Sequence, residues 1–430
     1  MGEGGDRLEV RETTYPMPPA VPATETADVL PSKLSIGLLA TASLFFPIYW
    51  IVYGLGILDT NFIDAKSFWL AARLALVEGM SPYSWETFSA ASEQLPGGYA
   101  HPFVYPPPSL VILWPLAGLS YEQATTALVA ASHAGIVLLA LGCGRVLSEE
   151  RLTQNRATLA VVAGLAVFIA VAHASRVTLG HGQVNIFVVC GLIWFWAACL
   201  GRASAVIGAG GLIAAALLKP YFGIFAVFPI LSGGRRMLPP VIAFSFAVLL
   251  LTVLAVPLEA WGDWVRIYLF ELSSAGLYLG RFEIYSPNNF ALRAVVDAFL
   301  GVQSRPVWPW LVSAMVAAQL GALVRTRTAP AEARTIQAAS LMMLIFLAAP
   351  VSWIHYLLYV VVAAGLVFVI SMRGSHTTLA VLSGLTCTAL LQPTAYGAIH
   401  PLAVYLPVLL TTLLWSHCVA RVFIPKVSVG

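Results

Sequence analysis

The chain is predicted to be an all-α integral membrane protein, a bundle of many apolar helices. Hydrophobic residues make up 59% of its 430 residues and charged residues only 10%, which lies outside the range of soluble domains. Apolar runs also recur along most of the sequence, many of them near the roughly 20 residues that cross a bilayer. This composition excludes a large soluble catalytic domain.

The N-terminal segment, residues 1–33, is predicted to be a disordered cytoplasmic tail. It carries mixed charges, several prolines and almost no large apolar side chains, so it cannot bury enough apolar surface to fold. It also lacks the apolar core of a secretory signal peptide. Residues 34–430 are predicted to form a single transmembrane domain.

The longest polar interruption of the apolar pattern covers residues 58–108. Apolar residues recur at helical spacing from about Asp64 to Glu78, which predicts a helix with one apolar face. We expect this helix to lie along the membrane surface, with Asp64 in its first turn. The stretch ends in Pro106, Pro107 and Pro108, which stiffen the approach to the next span.

The apolar runs predict about twelve membrane crossings, with both termini on the same side. The clear runs start near Ser35, Tyr121, Ala157, Val184, Met237, Val307, Thr335, Ser352, Thr377 and Pro401. Residues 204–233 add two shorter apolar runs, which are counted as two irregular spans. The segment 371–430 is predicted to contain two closing spans.

The distribution of charge predicts the orientation of the chain in the membrane. Most of the 23 Lys and Arg residues fall in alternate loops, and positive loops stay in the cytoplasm. Both termini are therefore predicted to be cytoplasmic, while the loops 58–108 and 258–306 face outward. The net charge of +3 is a signal of topology, and no nucleic-acid binding is predicted.

Two charged residues near the apolar segments stand out, because such groups need a partner or a function. Asp64 opens the predicted helix, where a carboxylate is often only a helix cap. The aromatic and proline-rich stretch that follows it favours a functional role.

Lys219 precedes Pro220, which breaks the helix and frees backbone groups that suit a buried anion such as a phosphate. A lysine that snorkels to the interface is the alternative.

Three further stretches carry polar groups that are predicted to lie on the same face of the membrane. Residues 350–360 contain Trp353 and His355, and a lone histidine in such a setting is commonly a hydrogen-bonded core residue. The other two stretches are HGQVN, with His181, Gln183 and Asn185, and YSPNNFALR, with Asn288, Asn289 and Arg293. Amides can bind sugar hydroxyls, but they also cap helices.

Eight short motifs follow one another along the chain, namely Asp64–Ala72, Gly79–Tyr83, Phe103–Pro107, Trp114–Leu116, Gly182–Asn185, Lys219–Pro220, Asn288–Leu292 and Pro350–His355. In this order and spacing they resemble glycosyltransferase family 87, whose members are multi-span enzymes of the GT-C class. The family includes polyprenol-phosphate-mannose-dependent α-1,2-mannosyltransferases. The likeness extends from about residue 35 to residue 360.

The resemblance implies a GT-C-type helical bundle that transfers a sugar, by analogy mannose, from a polyprenyl-phosphate donor to a glycolipid or glycan acceptor. The first outer loop of that class carries an essential acid, which matches Asp64 and implies a general base. Lys219, His355 and Arg293 would bind the donor phosphate without a metal. The substrate-binding residues would be Tyr83, Tyr105, Gln183, Asn185, Asn288, Asn289 and Trp353. No cofactor is expected.

The site is expected to face the periplasm or the cell exterior from the cell membrane, in contact with membrane lipids. A transporter or flippase of lipid-linked or amphipathic solutes is the alternative, and it predicts paired broken helices and charges deep inside several spans. The region around Lys219 and Pro220 is the one sequence feature that favours this alternative. An assembly subunit without an active site is a third possibility.

Overall fold

The computed structural model describes residue 48 and residues 62–148, 156–227, 235–267, 290–300, 307–349, 352, 354–374, 376–391 and 405–423. Within these ranges every regular element is a helix, as predicted. The α-helices are α1 Ile63–Leu76, α2 Trp85–Ser92, α3 Pro108–Ala117, α4 Tyr121–Leu147, α5 Arg156–Val171, α6 His173–His181, α7 Asn185–Cys199, α8 Ala205–Leu218, α9 Leu238–Ala255, α10 Leu258–Arg266, α11 Leu292–Leu300, α12 Trp308–Thr326, α13 Ala331–Ala348, α14 Leu357–Arg373, α15 Thr377–Leu391 and α16 Leu406–Phe423. Three short 3₁₀ helices cover Pro220–Ala226, Arg235–Met237 and Ile354–Tyr356.

Five helices are long and apolar enough to cross a membrane, or six if one bent pair is counted as a span. The five segments are Tyr121–Leu147, Arg235–Ala255, Ala331–Ala348, Ile354–Arg373 and Leu406–Phe423. The prediction of about twelve crossings is therefore not confirmed, and neither is the outward orientation of the loop 58–108. Several predicted spans coincide with shorter apolar helices, such as α7, α8 and α15. The predicted tail and most of the first span lie outside the described residues.

The packing of α7 against α8 depends on two glycines that face each other. A Cβ atom on Gly191 would lie 2.3 Å from the carbonyl oxygen of Gly211, and a Cβ atom on Gly211 would lie 2.5 Å from that of Gly191. Only glycine allows the two backbones to approach this closely, which is a common way to pack helices in membranes. Since Lys219 directly follows α8, this contact helps to fix the helix that ends at the lysine.

The predicted helix after residue 62 is present as α1, with Asp64 in its first turn. Its burial differs from the prediction of a single apolar face. Ten of its 14 residues are buried, because α2, α3, α4 and α6 all contact it. Only Arg73, Leu76, Lys66 and Ile63 are partly accessible. A helix covered on most sides holds its side chains more rigidly than one that lies on a membrane surface.

Two breaks in the helices bring irregular backbone into the bundle. Residues 159–171 and 173–181 form a pair bent by 62° at Ala172. The second break follows α8, where Lys219 has an extended backbone and Pro220 begins a 3₁₀ helix. Proline cannot donate the next hydrogen bond of an α-helix, which explains the break after Lys219. Irregular backbone at such depth is tolerated where protein buries it or where it lines a cavity.

Candidate functional site

The start of α1 is fixed against the end of α6, and this contact positions Asp64. The amide of Phe62 donates a hydrogen bond to the carbonyl oxygen of Gly180 at 2.9 Å. Phe62 has a positive φ of 48°, which is uncommon for a residue other than glycine. Gly182 also has a positive φ, of 67°, and packs directly against Ala65. The first turn of α1 is therefore attached to the segment that follows α6.

The Asp64 side chain lies between two imidazole rings. Its Oδ1 atom is 3.1 Å from Nδ1 of His101, and its Oδ2 atom is 3.7 Å from Nδ1 of His181. The Gln183 side chain also lies near the carboxyl group and favours its charged form. Asp64 is only 7% exposed, and a buried carboxylate requires donors of this kind to remain ionised.

The pKa of Asp64 results from two opposing effects. Burial raises the pKa, while the hydrogen bond with His101, the neighbouring imidazole groups and the Gln183 side chain lower it. The net effect is a pKa below the ordinary value for aspartate. Asp64 is therefore an ionised carboxylate at neutral pH, able to accept a proton from a neighbouring group.

An aromatic cluster formed by Tyr83, Phe103 and Tyr105 lies close to the carboxylate, since Tyr105 interacts electrostatically with Asp64. Phe103 is fully buried, and its ring lies 5.7 Å from that of Tyr83. The Tyr83 hydroxyl donates to the carbonyl oxygen of Tyr105 at 2.6 Å. The Tyr105 hydroxyl lies 3.5 Å from Oε1 of Gln183. Burial raises the pKa of Tyr105 well above that of an ordinary tyrosine, so its phenol stays protonated and can donate a hydrogen bond.

Lys219 reaches the other side of this cluster from the break after α8. Its Nζ atom lies 2.6 Å from the Tyr356 hydroxyl, and 3.9 Å and 5.5 Å from the ring centroids of Tyr356 and Tyr105. The side chain is only 4% exposed. The lysine thus points into the protein, which argues against the alternative of an interfacial, snorkelling side chain.

His355 lies close enough to both Lys219 and Asp64 to interact with their charges. Its ring lies 4.8 Å from that of Tyr356. We call the resulting set of side chains the polar ring. Its members are Asp64, Gln183, Tyr105, Lys219, Tyr356 and His355. An ionised carboxylate and a buried lysine therefore share one site, as a proton transfer combined with anion binding would require.

Two predicted site residues have other contacts in the structure. Asn185 is fully buried, and its Oδ1 atom accepts a hydrogen bond from Tyr359. The Nδ2 atom of Asn185 finds no acceptor among the described residues. Arg293 lies in α11 and pairs with Asp297 at 3.7 Å. The contacts of the described residues do not connect Arg293 with Lys219.

The predicted substrate-binding residues Asn288, Asn289 and Trp353 lie outside the described residues. Their neighbours show how the two segments meet, since the amide of Phe290 donates to the carbonyl oxygen of Ser352 at 2.7 Å. The YSPNNFALR stretch therefore ends beside the segment that carries His355.

Sequence reasoning missed two residues of the site and gave no role to a third. His101 and Tyr356 were not predicted, and His181 was noted only as part of HGQVN. His101 lies two residues before the Phe103–Pro107 motif. This closeness to a family motif was the one sequence signal that could have identified it as a site residue. Within the described ranges, no group of three or more His, Cys, Asp or Glu side chains is arranged to hold a metal ion.

A comparison with protein families supports the resemblance noted in the sequence. The model of glycosyltransferase family 87 matches residues 103–350, more than half of the chain. This range includes Tyr105, Gln183 and Lys219, whereas Asp64 and His355 lie outside it. No curated protein and no solved structure matches the chain significantly.

Proposed function

Because the chain belongs to glycosyltransferase family 87, we propose that it transfers a sugar, by family analogy mannose, from a polyprenyl-phosphate donor to a glycolipid or glycan acceptor. The observation that carries this proposal is the polar ring, in which the Asp64 carboxylate and the Lys219 ammonium group serve one site. Such a site can remove a proton from an acceptor and bind the phosphate of a donor.

In the proposed reaction, an acceptor hydroxyl oxygen forms a bond with the anomeric carbon of the donor sugar. The bond between that carbon and the phosphate oxygen breaks, and its electron pair stays on the phosphate. The hydroxyl proton moves to the Asp64 carboxylate, which acts as general base. Direct displacement inverts the anomeric centre. One carboxylate is sufficient because the lipid phosphate leaves without protonation, unlike the leaving group in glycoside hydrolysis.

Lys219 is assigned to the donor phosphate, whose negative charge grows as the bond breaks. Preformed positive charge in a site with little water stabilises such a transition state strongly. The position of Lys219 supports this role, because the side chain is buried and Tyr356 and Tyr105 hold its ammonium group. His355 is proposed as a second donor, which its ring contact with Tyr356 and its electrostatic interaction with Lys219 support. Arg293 remains a prediction for the phosphate.

The sugar is assigned to the amide and phenol groups of the ring. Tyr105 and Gln183 form its side between the carboxylate and the lysine, and Tyr83 positions Tyr105 through the backbone. The Nδ2 atom of Asn185 is buried and has no hydrogen-bond acceptor among the described residues. This free donor supports a role for Asn185 near the sugar. Asn288, Asn289 and Trp353 remain predicted contacts. We further propose that the site faces the periplasm or cell exterior, with both termini in the cytoplasm.

A transporter of lipid-linked solutes is the second candidate, and the helix break at Lys219, a member of the polar ring, favours it. Transporters bind their substrates at such discontinuous helices. The two candidates can be separated with purified protein in liposomes that contain labelled polyprenyl-phosphate-mannose. Transfer of label to an added glycolipid fraction supports the enzyme. Movement of label between leaflets without loss of the donor supports the transporter. If the protein shows neither transfer nor movement of label, both candidates are contradicted.

A further inference from the structure

The two oxygen atoms of Asp64 have unequal contacts with the protein. Oδ1 lies 3.1 Å from Nδ1 of His101, within hydrogen-bond distance, whereas Oδ2 lies 3.7 Å from Nδ1 of His181. An ionised carboxylate only accepts hydrogen bonds, so the short contact requires a proton on Nδ1 of His101. Oδ2, with the longer contact, is the oxygen that a substrate hydroxyl can approach more easily.

His101 belongs to a segment that is held firmly by the aromatic cluster. Ala100 and Phe103 on either side of it are buried, and the Tyr83 hydroxyl binds the backbone at Tyr105. The His101 ring also contacts the ring of Tyr99 edge to face, with centroids 5.6 Å apart. A side chain on such an anchored segment can hold its partner in one orientation.

We propose that His101 is a positioning residue for the transfer reaction. Its Nδ1–H group holds Oδ1 of Asp64 and thereby turns Oδ2 toward the acceptor hydroxyl. This inference rests on the proposed function and adds to it the group that orients the base. A histidine that holds a buried carboxylate by hydrogen bonding reverses the arrangement in hydrolase triads, where the carboxylate orients the histidine.

The same contact helps to keep Asp64 ionised. Burial disfavours the charged carboxylate, and the hydrogen bond with His101 is the largest effect that opposes burial. The other groups that act on Asp64 are Gln183 after α6 and His355 from the 3₁₀ helix, with His181 at the end of α6. The Tyr105 phenol also interacts with Asp64. Lys219 interacts with His355, which in turn interacts with Asp64. Without His101, we expect the pKa of Asp64 to rise.

The test compares two substitutions at one position in the full-length protein. His101→Ala removes the donor, whereas His101→Asn places an amide nitrogen near the position of Nδ1 and cannot be protonated. We expect His101→Ala to lower kcat by about 10–100-fold, the range found for groups that orient functional ligands. The acid limb of the kcat profile should move to higher pH, and the KM for the donor should change little. His101→Asn should restore most of the activity and the original profile. Glu93→Gln, an exposed site at the end of α2, is the control.

A second measurement does not depend on transfer. Infrared difference spectra between each protein and its Asp64→Asn variant report the protonation of the Asp64 carboxyl during a pH titration. We expect protonation at higher pH in His101→Ala and at the original pH in His101→Asn. An unchanged titration in His101→Ala would overturn the inference, even in a preparation that transfers no sugar. An inactive His101→Asn that added imidazole rescues would also overturn it, because His101 would then take the proton itself.

Discussion

Gly182 and Ala65 lie in contact, so that a Cβ atom on Gly182 would be only 2.5 Å from the Cβ atom of Ala65. This contact joins the end of α6 to the first turn of α1, directly beside Asp64. It places Gln183 next to the carboxylate. Two segments that are far apart in the sequence therefore meet at one glycine, and the geometry of the polar ring depends on that contact.

The first prediction concerns substitutions of this glycine. Gly182→Ala should destabilise the protein for two reasons, the positive φ and the overlap with Ala65. The left-handed backbone costs a residue with a side chain about 1–2 kcal/mol, and overpacking adds about 1–3 kcal/mol. The matched control is Gly79→Ala, which has the same φ of 67° but no atom within 4 Å of the added Cβ.

Thermal unfolding in detergent measures both variants under the same conditions. Gly182→Ala should unfold at a clearly lower temperature than Gly79→Ala, and transfer should decrease only in Gly182→Ala. Equal unfolding temperatures would show that the contact between Gly182 and Ala65 has no effect on stability.

The second prediction concerns the general base. Asp64→Asn keeps the size of the side chain but removes its ability to accept a proton, so transfer should decrease by about 10²–10⁴-fold. The rate of transfer from labelled polyprenyl-phosphate-mannose measures the effect. Glu78→Gln is the control, since Glu78 forms an exposed pair with Arg73 after the same helix. An Asp64→Asn protein with full activity would contradict the assignment of Asp64 as base.

The third prediction concerns the cation for the donor phosphate. Lys219→Met should lower kcat/KM for the donor by about 10²–10³-fold, because charge stabilisation in the transition state is lost. Lys66→Met is the control, because the Nζ atom of Lys66 lies beside Gly97 and no contact of the described residues joins this atom to the polar ring. If both variants lost activity equally, the effect would be a general consequence of lysine removal and the assignment of Lys219 would be wrong.

The fourth prediction concerns pH. The folded pKa of Asp64 lies below the ordinary value, which is about 3.9. The base is therefore ionised above that pH, and acidification from pH 8 to pH 5 should not protonate it. The stability that the ionised group contributes is present above the unfolded pKa and is lost as pH falls through the folded pKa.

Initial rates between pH 4 and pH 8, together with unfolding temperatures extended down to about pH 2, below the unfolded pKa of aspartate, test this expectation. The Asp64→Asn variant should show a smaller loss of stability than the wild type near the acid end. A rate that falls by half near neutral pH, in proportion to the protonation of one group, would indicate that another residue acts as the base.

The sequence was sufficient for the class of the protein and for most of its helices. Helices were predicted near Tyr121, Ala157, Val184 and Met237, and the structure has helices that begin within one residue of each position. The break after Lys219 was also predicted. These features depend on local composition, since apolar runs and proline act on their own stretch of chain.

The side chains that contact the predicted residues could not be predicted from local sequence. Eight histidines occur in the chain, and local sequence does not show that His101 and His181 lie against Asp64. Likewise, the sequence shows that Tyr356 directly follows His355, but it does not predict that Tyr356 contacts Lys219. Such contacts depend on how helices distant in the sequence pack together.

By itself, therefore, the sequence determined an all-helical membrane protein with the motifs of a glycosyltransferase family, an acid at the start of one helix and a lysine at a break. The tertiary structure decided that α1 is buried on most sides, that two imidazole rings face its carboxylate, and that Lys219 points into the protein toward Tyr356. The physical reason is that helix formation follows from local periodicity, whereas side-chain contacts require the close approach of separate helices, here made possible by glycines such as Gly182, Gly191 and Gly211.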